Sequence, residues 1–140
     1  MRRAASLASL LLGVLLIVGG SATWVVVSTT LADQKIVTSD DACLPGRNVT
    51  DPFTAYCQAR VIEKHTLEAT EGLYYAQLDR EDPRRQIAQT SSFLQASLFT
   101  SILAFGVAAM ALAMGILFVL IGLGIRDVAM QKIKGSTAAP

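Results

Sequence analysis

Residues Leu98–Ile125 read LFTSILAFGVAAMALAMGILFVLIGLGI, and none of these side chains carries a charge. The uncharged run reaches back to Gln86, 40 residues in all. As a helix the dense part alone rises about 42 Å, more than the roughly 30 Å hydrocarbon core of a bilayer. A helix of that length must tilt or project from the membrane. Working outward, the same chemistry recurs near the start of the chain. Ala4–Ala32 is a second uncharged run, of 29 residues, with LASLLLGVLLIVGGSATWVVV at Leu7–Val27 as its core. That core spans about 32 Å as a helix. Helices suit this solvent because every backbone polar group is paired within the segment. The whole 140-residue chain is 52% apolar and 16% charged, where a soluble domain is about a quarter charged. That balance argues against a soluble globule, a disordered tail and a nucleic-acid binder.

Charge placement gives an orientation. Arg2 and Arg3 precede the first run; Arg126, Lys132 and Lys134 follow the second, against one acid, Asp127. The segment between holds seven basic and ten acidic side chains. Short basic ends around an acidic loop predict a multi-pass protein of the plasma membrane with both termini cytoplasmic. Arg84 and Arg85 run against the rule, a dozen residues before the dense part of the second run. Met1-Arg2-Arg3, Leu7–Val18 and Gly20-Ser21-Ala22 also follow the order of a cleaved signal peptide. Trp24-Val25-Val26-Val27 continues the apolar run past that site and favours retention. On either reading the middle segment is extracytoplasmic.

Both cysteines, Cys43 and Cys57, fall in that middle segment. An even count in an oxidising compartment favours a disulfide over two free thiols. Asp51-Pro52 is a helix start, an N-cap acid before proline, and Gly72 is a stop after about Thr70. Phe53, Cys57 and Val61, flanked by Ala55, Ala59 and Ile62, make its expected apolar face. Gln34–Thr38 is a short β-prone run, with turns at Ser39-Asp40-Asp41 and Leu44-Pro45-Gly46. Asp82-Pro83 repeats the start signal, which predicts one helix from Pro83 to about Asp127. Ile87, Phe93 and Leu94 are expected to face the loop domain.

Little catalytic chemistry is legible. The single histidine, His65, excludes a two-histidine iron triad within this chain, and no four-ligand zinc set exists. His65 reads most simply as a solvated helix residue. Asp79, Glu81 and Asp82 read as capping and solvation rather than a cation site. Gly122-Leu123-Gly124 lies inside an apolar helix and is no phosphate loop. Neither uncharged run carries the ionisable group that pumps and proton relays use. Helix-packing signals are plentiful: Ala5, Ser9 and Gly13 are four apart, as are Ala104 with Ala108, Ala109 with Ala113, and Ala111 with Gly115. Such faces let membrane helices approach closely.

Several stretches resemble a family of small two-span actinobacterial membrane proteins. They are Trp24–Ala32 (WVVVSTTLA), Ile36–Ala42 (IVTSDDA), Asp51–Tyr56 (DPFTAY), Tyr75–Pro83 (YAQLDREDP), Ser92–Ser101 (SFLQASLFTS) and Phe105–Ala108 (FGVA). The likeness covers most of residues 10–125, and the fourth and fifth stretches are its most specific parts. Members carry the label aromatic ring-opening dioxygenase, LigA. The label reads as a misnomer here: extradiol cleavage needs iron, and one histidine does not supply its ligands. Cys43 and Cys57 depart from the family pattern. The resemblance implies two spans and no catalytic residue.

The expectation is therefore an all-α membrane protein: a two-helix hairpin with a small, mainly helical, disulfide-tied cap. Residues 1–3 form a cytoplasmic N-terminus, 4–32 the first span and 33–82 the cap. Residues 83–127 form a long helix containing the second span, and 128–140 a flexible cytoplasmic tail. The expected function is that of a non-catalytic accessory subunit of a larger respiratory or cell-envelope complex, without metal or cofactor. Its partners would be membrane lipids and other integral membrane subunits. The alternative is a stand-alone, homo-oligomeric envelope module that binds lipid or another ligand.

Overall fold

The computed structural model describes the backbone of residues 2–137 and the side chains of residues 3–128. It is all-helical, with no β-strand among the described residues. Three α-helices follow in order: α1, Arg2–Asp33; α2, Pro52–Ala69; and α3, Arg84–Thr137. A short 3-10 turn, Tyr75–Gln77, lies between α2 and α3. At 32 and 54 residues, α1 and α3 are about 48 and 81 Å long. Both are long and apolar enough to cross a membrane. The expected helix end at Asp127 is corrected, because α3 runs on to Thr137. Arg126-Asp127 ends the apolar run but not the helix, since no glycine or proline follows until Gly135. Side chains of the expected tail beyond residue 128 lie outside the described residues.

The chain divides into two compact units. Unit 1 comprises Met1–Trp24 with Val107–Pro140, and unit 2 comprises Val25–Gly106. In unit 1 the two helices pack along a line of small residues spaced by seven. Ser6, Gly13 and Gly20 of α1 are buried, as are Ala108, Gly115 and Gly122 of α3. A spacing of seven is the repeat that keeps one seam facing a partner in a left-handed pair.

Unit 2 is built around α2. Asp51 caps it: its carboxylate accepts from the backbone N–H of Phe53 at 2.9 Å and of Thr54 at 3.1 Å. The Asp51 backbone N–H donates back to the Thr54 hydroxyl at 3.3 Å, closing a capping box, and that hydroxyl donates to the Asp51 carboxylate at 2.8 Å. At the other end Gly72, with φ +83°, donates its N–H to the Leu67 carbonyl at 2.7 Å and terminates the helix. Ala55 and Ala59 pack with Leu31, Val49, Leu98 and Phe105 in the principal core. Cys57 and Val61 pack with Ala42 in a smaller one, flanked by Leu44. The single apolar face expected for α2 is thus two faces, and Phe53 belongs to neither. Short alanines bring α2 close to α1 and α3, whereas Phe53 points outward. The β-prone run contributes one isolated antiparallel bridge, Val37 to Asn48. Ile87, Phe93 and Leu94 are exposed rather than turned to the cap. Ala88 and Leu98 are the buried apolar side chains on this part of α3, ahead of Phe105.

Candidate functional site

The seam of unit 1 is tighter than the sequence suggests. A Cβ on Gly13 would lie 2.7 Å from the Gly115 carbonyl oxygen, and one on Gly20 2.9 Å from that of Ala108. One on Gly122 would meet the Leu10 side chain at 2.7 Å. The Ser6 hydroxyl donates to the Gly122 carbonyl at 2.8 Å, and Ser9 to Phe118 at 2.7 Å. Between membrane helices such bonds contribute about 0.6 kcal/mol each, up to roughly 2. Of the expected packing residues, Gly13, Ala108 and Gly115 are buried in this seam, and Ser9 and Ala111 are half-buried. Ala104 is half-buried but belongs to unit 2. Ala5, Ala109 and Ala113 are exposed, which corrects their assignment to the packed face. A spacing of four drifts off a seam that a spacing of seven follows. Ser6, Gly20 and Gly122, missed on that ground, were legible as a seven-residue repeat.

The rest of the helix surface is apolar and uncovered. Only 11% of the most apolar window of α1 and 17% of that of α3 are buried. Leu7, Leu11, Leu15 and Val18 of α1 are exposed, as are Met110, Leu117, Leu120 and Ile121 of α3. The core helix of a soluble protein would bury such side chains against its own chain.

Unit 2 carries the polar features. Cys43 and Cys57 lie at disulfide distance, with Cα atoms 5.4 Å apart, and join the loop to α2. Next to them Asp41 accepts from Lys64 Nζ at 2.9 Å and approaches His65 Nε2 at 3.0 Å. Hydrogen bonds from Lys64 and then His65 hold the Asp41 carboxyl below its usual range. Arg84 bridges Asp82 at 2.7 Å and Glu71 at 2.9 Å, linking the start of α3 to the end of α2. The guanidinium of Arg85 stacks 4.2 Å over the Tyr75 ring and donates to the Leu78 carbonyl. A cavity of about 80 Å³ lies between α2 and α3, lined by Glu63, Leu67, Tyr74, Tyr75, Ser92 and Gln95 among others. Its lining combines the Glu63, Ser92 and Gln95 side chains with the Tyr74 and Tyr75 rings. Among the described residues, no three His, Cys, Asp or Glu side chains gather as metal ligands do. His65 is an exposed partner of Asp41 on the outer side of α2.

No protein-family model matches this chain, and no curated protein or solved structure shows significant similarity to it.

Proposed function

We propose that this chain is a two-span membrane protein serving as a non-catalytic accessory subunit of a larger respiratory or cell-envelope complex. The carrying observation is the pair of long, uncharged helices whose apolar side chains are left uncovered by the chain itself. Lipid and neighbouring subunits cover them. The basic ends, Arg2, Arg3 and Arg126, lie on the cytoplasmic side, and residues 33–82 lie outside. The disulfide distance between Cys43 and Cys57, with Cα atoms 5.4 Å apart, supports this reading, because such bonds persist in oxidising compartments. The actinobacterial two-span family, on the stretches quoted above, is the source this reading favours. Purification of the tagged protein in mild detergent after gentle crosslinking tests it. Co-purifying integral membrane subunits are the expected result, and a lone monomer would overturn it.

The second reading is an independent, homo-oligomeric module that takes an envelope ligand through unit 2. The observation behind it is the cavity between Tyr74, Tyr75 and Glu63. Self-association without any other chain, together with saturable lipid binding lost in Tyr74→Ala, would favour it over the first.

A further inference from the structure

We infer that the first two turns of α2 dip into the outer headgroup layer of the bilayer, with Phe53 and Tyr56 as aromatic anchors. The inference rests on the two-span reading above. Ala55 and Ala59, in the first half of α2, pack with Leu31 of α1 and with Leu98 and Phe105 of α3. Glu63, Thr66 and Leu67, in its second half, line a cavity with Ala88, Ser92 and Gln95. As numbers rise along α2 they fall along α3, so α2 is antiparallel to α3. Its N-terminal end is level with the part of unit 2 from which α1 and α3 run on as spans.

Charge follows the same axis. Residues 52–59, PFTAYCQA, carry none, while Arg60, Glu63, Lys64, His65 and Glu68 crowd the second half. On the uncharged half Phe53 is 74% and Tyr56 49% exposed. Helical side chains lean toward the N-terminus of their own helix, so both rings lean toward the end of unit 2 where Leu31 and Phe105 pack. At the same end of unit 2, Val25 and Val26 of α1 and Phe99 and Leu103 of α3 are exposed as well. In water this would be an unusual collection of bare apolar groups. At a headgroup layer Tyr56 is an ordinary residue, because rings with one polar edge concentrate there, and Phe53 supplies the apolar area that interfacial helices bury beside them. Asp51, whose carboxylate faces backbone N–H groups, remains in the hydrated layer beside them.

Depth-dependent fluorescence quenching tests the idea on the full chain reconstituted in phosphatidylcholine vesicles. Trp24 is the only tryptophan, so its quenching by brominated lipid reports on the span itself. In a Trp24→Phe background, Phe53→Trp, Tyr56→Trp and Tyr74→Trp place single probes on exposed positions. Lipids brominated near the headgroup end of the acyl chain should quench the probes at 53 and 56 at least about twofold more than the one at 74. Aqueous iodide should give the reverse order. Equal iodide access at 53, 56 and 74, with Trp24 still quenched by lipid, overturns the inference and leaves the spanning reading intact. Failure of brominated lipid to quench Trp24 overturns both. A retained Cys43–Cys57 disulfide in each variant shows that the cap has folded.

Discussion

Asp51 concentrates several jobs in one carboxylate. Partial burial pushes its pKa up, but hydrogen bonds from Thr54 and Phe53 outweigh that and leave it lowered. Asp51→Ala removes the acceptor for two backbone N–H groups and for the Thr54 hydroxyl, at a cost of about 1 kcal/mol. A lower melting temperature for α2 by circular dichroism in detergent is the expected outcome. Asp51, Asp41 and Asp82 all titrate below their ordinary value in the folded protein. Their contributions are therefore complete above an unfolded pKa of about 3.9 and are lost as pH falls through the folded values. The protection factors of the first amides of α2 against hydrogen exchange should hold at neutral pH and fall below about pH 4. Asp51→Asn, which keeps an acceptor oxygen, should flatten that acid limb.

Among the elements, the α1–α3 seam and the Cys43–Cys57 staple make separable claims. At Gly115 a Cβ would meet the Gly13 carbonyl at 2.8 Å and the Ile17 nitrogen at 3.0 Å, whereas Gly106 and Gly124 face open space. Gly115→Ala should therefore destabilise the pair by about 1–3 kcal/mol through overpacking. Gly106→Ala and Gly124→Ala should leave thermal stability in detergent nearly unchanged. An equal loss in all three would refute the seam. The staple closes a loop with a sequence separation of 14, worth about 3 kcal/mol in the chain-entropy model. Cys43→Ala should lower the unfolding midpoint of the cap while α1 and α3 stay helical. The helix starts at Asp51 and near Asp82 were legible because capping and proline chemistry is local. The faces were less so. Phe53 looked like core by size and period, but close approach to α1 and α3 selected Ala55 and Ala59 instead. Ser6, Gly20 and Gly122 escaped a search at spacing four because the seam follows seven.

Across the whole molecule, proteolysis tests the topology proposed from the charge asymmetry. Sealed right-side-out vesicles should lose the cap to trypsin, at exposed Arg60 and Lys64, once the disulfide is reduced. Inside-out vesicles should keep it and be cut only near the ends. The opposite pattern would reverse the orientation. The order in which the ribosome delivers the core has its own consequence. Leu31, Val49, Ala55 and Ala59 emerge first, yet they pack against Leu98 and Phe105, which emerge last. At about 5–20 residues per second the nascent cap waits a few seconds for α3. Both sulfurs are already present in that interval. The Cys43–Cys57 bond is thus a clasp available to half a core, holding loop and helix in register until the missing wall is translated.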